Sequence, residues 1–321
     1  MRPAPSQRAL PRRLWLGLLL VALTAAIAGC GGSGGASDTS DPDTTPETPA
    51  STQWPPFSPT SSWNARVPAG ATYTPLAWPE ANGANYWVNW ESYSPAVHVG
   101  NPSDPLVRVS FGDSWGWPAQ TVEAHLPASV TGAAGTDGEI VFISGTTAHN
   151  CWQFVRTSTI TATCQAYARD DIVTGRGWGR LSPFRGAGIT AAGSNLLAGL
   201  LVQAETGAGE IAHALQIAID LTLQGPEPTG EAIRSDGWAS GSAITRQGER
   251  LAIPPNTPMP EGLSTLGQKV FRALRDYGAF NIDSGDGATG FRAQANAYDP
   301  ATIDALREDV NRLIPLLHRV D

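Results

Sequence analysis

Short runs of apolar and β-branched residues, separated by Gly, Pro and Thr turns, make up the chain from Trp54 to about Thr190. Within residues 106–111, the apolar side chains of Val107 and Val109 alternate with polar ones, the period of two that is typical of a half-buried strand. Strands this short and closely spaced favour a sandwich or jelly roll over repeated βαβ units. The other runs are NYWVNW at 85–90, EIVFIS at 139–144, CWQFVRT at 151–157 and ITATCQAYA at 160–168.

Near the C-terminus the pattern changes, and apolar residues recur at helical spacing in two segments. Ser264 is placed to cap the first helix, while Asp299 precedes Pro300 at the start of the second. Residues 279–283, AFNID, predict one more strand between the helices. We therefore predict a mainly β protein, a single β-sandwich or jelly-roll-like domain with two C-terminal helices. The predicted apolar stripes are Leu266, Val270, Leu274 and Tyr277, then Ile303, Leu306, Val310 and Leu313.

The segment GEIAHALQIAIDL, residues 209–221, places His213 among apolar neighbours. As a strand it would carry Ile211, His213 and Leu215 on one face, and a short helix is the other interpretation. A buried imidazole needs a partner for each ring nitrogen. His213 is therefore either a hydrogen-bonded core residue or a general base oriented by Asp236.

The N-terminus combines a basic start, Arg12 and Arg13, with an apolar run at 14–27 that is short for a membrane span. The run ends in Ile27-Ala28-Gly29-Cys30, which resembles the lipobox of bacterial lipoproteins. The resemblance implies a signal peptide that is cut before Cys30 and a lipid on this cysteine. It implies a location on the bacterial cell envelope, facing the periplasm or the exterior, with membrane contact by the lipid anchor only.

The segment that follows, residues 31–52, contains no large apolar side chain. Such a segment cannot bury enough surface to offset the entropy lost on ordering. We therefore expect a signal peptide at 1–29, the lipidated cysteine and a disordered tether at 30–53, and one β-rich globular domain at 54–321.

Acidic residues outnumber basic ones, and the net charge is −8. Removing residues 1–29 takes away four arginines and no acidic residue, which makes the net charge −12. This charge argues against nucleic acid and against anionic membrane surfaces as partners.

After Cys30, two cysteines remain, Cys151 and Cys164. An exported protein meets an oxidising compartment, so we expect a disulfide between them. Residues 152–163 predict two strands and a turn, and the disulfide would then join the two ends of a hairpin. Because no further cysteine or paired histidine lies nearby, we expect neither a metal site nor a cofactor.

Candidate carboxylates lie around the predicted strand at 139–144. Alternation along this strand would direct Glu139 into a cleft beside Trp152, and Asp137 lies in the turn before it. For Asp137 the alternative is a plain Asp-Gly turn pair.

A glycine-rich region at 176–201 predicts either a loop that approaches a ligand closely, with Trp178 for stacking, or a tight crossing of backbone segments. Further along, the segment RSDGW supplies Arg234 as a substrate clamp, Asp236 as a carboxylate and Trp238 as a stacking surface.

The order of the motifs TDGE, GAGITAAGSNLLAGLL, GEIAHAL and RSDG loosely resembles that of uncharacterised secreted bacterial β-rich proteins. Those proteins carry Thr-Asp-Gly-His at the first motif, where this chain has Glu139. The resemblance spans most of the folded part and implies no activity. It directs attention to Asp137, His213, Arg234 and Asp236.

Eleven tryptophans are a high count for 321 residues, and many lie in polar, Gly-rich surroundings. Indole faces stack on the apolar faces of sugar rings, whose hydroxyls need polar partners such as Asp, Asn and Arg. We therefore expect an envelope-anchored carbohydrate-active enzyme that cleaves a polysaccharide. The expected substrate-binding residues are Trp152, Trp178, Arg234 and Trp238.

Two chemistries fit such an enzyme. Glycoside hydrolysis would use two carboxylates among Asp137, Glu139 and Asp236, with His213 as a base or orienting residue. Elimination would need a base such as His213 or Tyr277. The alternatives to an enzyme are a non-catalytic glycan-binding surface lipoprotein and a structural envelope protein, whose tryptophans would fill the core.

Overall fold

The computed structural model describes residues 54–79, 86–112, 119–179, 186–285 and 287–321. The predicted signal peptide, the lipobox with Cys30 and the tether lie outside the described residues. Within the described chain, no helix is long and apolar enough to cross a membrane.

Strands dominate the described chain, which confirms the prediction of a mainly β protein. The finer prediction of a sandwich or jelly roll stays a prediction. The strands are β1 Tyr73–Pro75, β2 Tyr86–Asn89, β3 Ala96–Val99, β4 Leu106–Phe111, β5 Gln120–His125, β6 Ile140–Ser144, β7 Thr147–Trp152, β8 Val155–Ser158, β9 Thr161–Cys164, β10 Ala166–Asp171, β11 Leu215–Asp220, β12 Gln224–Gly225, β13 Thr245–Arg246, β14 Arg250–Ala252, β15 Ala279–Gly285, β16 Thr289–Arg292 and β17 His318–Val320. The helices are α1 Gln203–Ala208, α2 Thr265–Asp276 and α3 Pro300–Leu313.

A seven-stranded mixed sheet, ordered β1-β17-β14-β15-β11-β16-β2, forms the centre of the described structure. β11 runs parallel to β15 and antiparallel to β16, which in turn runs parallel to β2. One face of the sheet packs against α2 and α3, whose apolar stripes are buried with Leu215, Ile217 and Phe291. Tyr277, which the sequence places in the α2 stripe, packs instead against the core on the other face.

Both predicted helix caps are present. The Ser264 side chain accepts a hydrogen bond from the Gly267 amide, and the Asp299 side chain accepts one from the Ala301 amide. Each cap gives a partner to an amide that has none within the first turn. These caps fix where α2 and α3 begin on the sheet.

Two four-stranded sheets, β10-β7-β6-β3 and β5-β4-β9-β8, share a second core with the other face of the central sheet. In β4 the predicted alternation holds, because Val107, Val109 and Phe111 are buried and their neighbours are exposed. Phe111 stacks on Tyr167 of β10 with ring centroids 4.1 Å apart, so this contact joins the two smaller sheets.

The disulfide between Cys151 and Cys164 is confirmed, with its Cα atoms 5.6 Å apart. The two predicted strands between the cysteines are β8 and β9, which pair in antiparallel fashion. The expected position at the two ends of a hairpin is wrong, however. Cys151 lies in β7, whose sheet is a different one, so the disulfide joins two sheets.

We expect reduction of this disulfide to lower the free energy of unfolding by about 3 kcal/mol, because the bond closes a loop of roughly 15 residues in the unfolded chain. Denaturant unfolding of the oxidised and reduced protein measures the difference. A Cys151→Ala/Cys164→Ala variant is the control, since reductant must leave its midpoint unchanged. An equal midpoint for oxidised and reduced wild type would contradict the prediction.

Candidate functional site

Two adjoining clefts open beside the central sheet, and both are lined by Asp137 and Asp283. The large cleft has a volume of about 470 Å³ and the small cleft one of about 290 Å³. Together they have the size of an ordinary ligand site. The large cleft is also lined by Trp87, Asn89, Tyr93 and Arg292, and the small cleft by Glu139, Trp152, Arg234 and Asp236.

Asp137 is held in a tight turn before β6, as its position in an Asp-Gly pair suggests. Gly138 has a φ of 49°, and the Asp137 carbonyl accepts a hydrogen bond of 2.7 Å from the Gln153 amide. The Trp152 indole N–H donates to Asp137 Oδ1 at 3.2 Å. The Asp-Gly pair is therefore both a turn and a way of directing a carboxylate into the clefts.

Asp283 reaches the clefts because of an irregularity in β15. Ile217 of β11 pairs with Asn281, but the next residue, Ala218, pairs with Asp283, so Ile282 is an extra residue in β15. A β-bulge of this kind reverses the face that later side chains point to. Without it, Asp283 would follow Asn281 onto the helix-covered face, whereas it lines the large cleft beside Ala218.

The pKa of Asp283 is raised to about 7, first by burial and then by the negative charges of Asp236 and Asp137. The Ser284 amide, which donates to Asp283 Oδ1 at 2.9 Å, opposes this shift. A carboxyl group with such a pKa exchanges its proton near neutral pH, as a general acid or base must.

Arg292 of β16 links the carboxylates of the two clefts. Its side chain is 4% exposed, and it forms an ion pair with the equally buried Glu139. Its Nη1 atom lies 3.7 Å from Asp283 Oδ2. Burial lowers the pKa of Arg292 to about 10, so the guanidinium remains charged at neutral pH. Glu139 is therefore held in an ion pair with Arg292, next to Asp283.

The predicted residues Arg234 and Asp236 line the small cleft. Arg234 donates to the carbonyl oxygens of Thr190 at 2.9 Å and Gly188 at 3.4 Å. Burial lowers its pKa, and the charge of Asp283 opposes that shift. Asp236 accepts hydrogen bonds from the Ser284 hydroxyl at 2.7 Å and from the Gln247 amide group. Asp236 is thus fixed in orientation next to Asp283.

Aromatic side chains line both clefts. In the large cleft, Trp87 is 38% exposed and Tyr93 is 45% exposed. The Arg307 guanidinium of α3 lies 4.1 Å from the Trp87 ring centre and holds that indole in place. Tyr93 packs over Gly135, where a side chain would crowd its ring. Trp152 supplies an indole to the small cleft.

The other two predicted stacking residues lie elsewhere. Trp178 is buried and stacks on Trp63 with ring centroids 5.3 Å apart, so it belongs to the core. Trp238 is 69% exposed and is not among the residues that line either cleft.

His213 is a buried core residue just before β11. Its Nε2 atom lies 2.8 Å from Glu205 Oε2, and its Nδ1 atom lies 2.8 Å from the Ala214 carbonyl oxygen. Its carboxylate partner is therefore Glu205 of α1, and the expected orientation by Asp236 is wrong. Burial lowers the pKa of His213, but the Glu205 hydrogen bond and charge outweigh burial, and the net pKa is raised.

Sequence reasoning missed Asp283, Arg292, Trp87 and Tyr93 as site residues. The signal for Asp283 was present, since it ends the predicted strand AFNID with a carboxylate in an otherwise apolar run. The face of that carboxylate depends on the bulge, which the sequence does not reveal.

Among the described residues, no group of three or more His, Cys, Asp and Glu side chains is placed to hold a metal ion. No family model, curated protein or solved structure matches the chain.

We expect Asp236→Asn to lower the pKa of Asp283 below its value of about 7, because the substitution removes a neighbouring negative charge. Burial remains, so the pKa stays above that of an ordinary aspartate. NMR titration of the Asp283 carboxyl carbon measures the shift. Glu123→Gln, which removes one charge from an exposed pair with Arg108, is the matched control. An unchanged titration in Asp236→Asn would contradict the coupling.

We expect Arg292→Met to cost about 3–5 kcal/mol of unfolding free energy, because it leaves the buried Glu139 without its partner charge. The double variant Arg292→Met/Glu139→Gln should recover part of this loss. Urea unfolding of the single and double variants gives the coupling energy. Equal stability of wild type and Arg292→Met would rule out a stabilising role for the pair.

Proposed function

We propose that this protein is a carbohydrate-active enzyme that hydrolyses glycosidic bonds of a polysaccharide. The observation that carries the proposal is Asp283, a carboxyl group with a pKa of about 7 beside Asp137 in a cleft with exposed aromatic side chains. Glycoside hydrolysis needs one carboxyl that is protonated near neutral pH and one that is ionised, and here the two line the same clefts.

In this mechanism Asp283 is the general acid and gives its proton to the oxygen of the leaving sugar as the glycosidic bond breaks. Water adds to the anomeric carbon and passes a proton to Asp137, which is the second carboxylate because, among the described residues, it is the one that lines both clefts together with Asp283. The Trp152 N–H orients Asp137, and Asp236 raises the pKa of Asp283. Arg292 and Glu139 position Asp283 without themselves reacting.

The elimination chemistry has less support. Its two candidate bases are His213, which is buried against Glu205, and Tyr277, which packs against the core and under the Arg66 guanidinium. Neither residue is among those that line the clefts.

The proposed location is the bacterial cell envelope, with a lipid on Cys30 as the membrane anchor. Its support is the lipobox-like sequence Ile27-Ala28-Gly29-Cys30 after a basic and then apolar start. A polysaccharide substrate suits an enzyme displayed outside the cytoplasm, and the disulfide suits the same compartment.

We expect the purified protein to release new reducing ends from a polysaccharide without the ultraviolet absorbance of unsaturated products. The rate should fall as the pH rises above about 7, where Asp283 loses its proton. Asp283→Asn should lower kcat by roughly 10²–10⁴-fold, the usual contribution of a general acid. A panel of neutral and uronate polysaccharides is the assay.

Glu123→Gln is the control and should keep wild-type kcat. Absorbance together with reducing ends would contradict hydrolysis and establish elimination. Quenching of tryptophan fluorescence by a glycan, with no turnover on any substrate, would contradict the enzyme and favour a glycan-binding protein.

A further inference from the structure

The reacting carboxylates lie between two open volumes. Asp137 and Asp283 line both clefts, so the large and the small volume meet at these two carboxyl groups. An enzyme that removes sugars from a chain end needs space for the chain on one side and a closed pocket on the other. Two open clefts that meet at the acidic pair have room for a chain that extends in both directions.

Each cleft also has its own stacking surface. Trp87 and Tyr93 line the large cleft, and Trp152 lines the small cleft. Aromatic rings on both sides of the acidic pair provide stacking contacts for sugar units before and after the bond that is cut. Binding energy from these remote units can then be used to orient the bond at Asp283.

The charges of the clefts restrict which sugars can bind. With Asp283 protonated as the general acid, the carboxylates of Asp137, Glu139 and Asp236 still outnumber the guanidinium groups of Arg234 and Arg292. Both arginines already have partners, Arg292 in Glu139 and Arg234 in two backbone carbonyls. A uronate carboxylate would therefore be repelled by the acids, and to reach either guanidinium it would have to displace an existing partner.

We infer that a linear chain of sugars without acidic groups lies across both clefts and is cut at an internal bond between them. The inference rests on the proposed function and specifies its mode of action and substrate class. The large cleft binds the chain on one side of the acidic pair, and the small cleft binds it on the other.

The first arm of the test follows the early products of wild type on neutral polysaccharides. We expect a ladder of oligosaccharides and a rapid fall in viscosity, which mark internal cleavage. Release of only mono- or disaccharide from chain ends would overturn the inference and leave the proposed hydrolysis standing. Absence of any cleavage would instead count against the proposed function, and the second arm then decides the inference.

The second arm measures binding to Asp283→Asn, titrated with neutral gluco-, xylo-, manno- and N-acetylated chito-oligosaccharides and with galacturonate oligomers. We expect affinity to rise from disaccharide to hexasaccharide for a neutral series. In the Asp283→Asn background, a further Trp87→Ala or Trp152→Ala substitution should weaken hexasaccharide binding by about three- to tenfold. This factor corresponds to the loss of one aromatic stacking contact. Trp238→Ala is the matched control, because its indole lines neither cleft.

Three results of the second arm would overturn the inference. These are an affinity that does not depend on chain length, equal loss in the Trp87→Ala and Trp238→Ala variants, and galacturonate binding as tight as that of the neutral sugars.

Discussion

The candidate site depends on one extra residue in a strand. Ile282 shifts the register of β15 against β11, and Asp283 thereby moves from the helix-covered face of the central sheet to the cleft face. The bulge is supported from the side by a buried amide pair, in which Asn281 donates to Gln224 at 2.9 Å and Gln224 donates to the Asp283 carbonyl at 3.2 Å. Bulges are common next to active sites because they direct a side chain without moving the rest of the sheet.

On the cleft face, Asp283 is surrounded by two acidic residues and one arginine. Asp236 and Asp137 raise its pKa, and Arg292 lies close enough to limit the repulsion. Burial lowers the pKa of Arg292, the charge of Asp137 opposes that shift, and Glu139 forms a buried ion pair with the guanidinium. The strands that supply these groups come from separate sheets, since Arg292 lies in β16 of the central sheet and Glu139 directly precedes β6. The ion pair therefore also ties the sheets together at the site.

Much of the fold follows from local patterns that the sequence displays. The alternation in β4 and the caps at Ser264 and Asp299 depend on residues within a few positions of each other, and these predictions are confirmed. The disulfide position and the partner of His213 depend on how the chain folds back between elements, and there the expected hairpin position and the expected pairing with Asp236 are wrong. The apolar sequence around His213 is compatible both with a core residue and with a general base. Its burial outside both clefts is what favours the core interpretation over a general base.

The same contrast between local patterns and tertiary contacts explains why only part of the candidate site can be predicted from the sequence. The chemistry of turns and strand ends predicts five site residues, and the fold brings all five to the small cleft: Asp137, Glu139, Trp152, Arg234 and Asp236. Trp178 was selected by the same kind of argument, yet the stacking partner that it finds is Trp63 in the core. A tryptophan in a glycine-rich segment can serve either purpose, because glycines permit close packing of backbone as well as the approach of a ligand.

The raised pKa of Asp283 also has a cost in stability. Between the pKa of an unfolded aspartate, near 3.9, and about 7, the folded protein holds a proton at Asp283 that the unfolded chain has lost. The unfolded state then binds fewer protons, so the contribution of this group to stability falls as the pH rises through that range. Above about 7 the half-buried carboxylate, which is then charged, opposes folding. An asparagine would fill the same space without this loss of stability at neutral and higher pH. A carboxyl group at position 283 therefore fits the acid–base role that we propose for it.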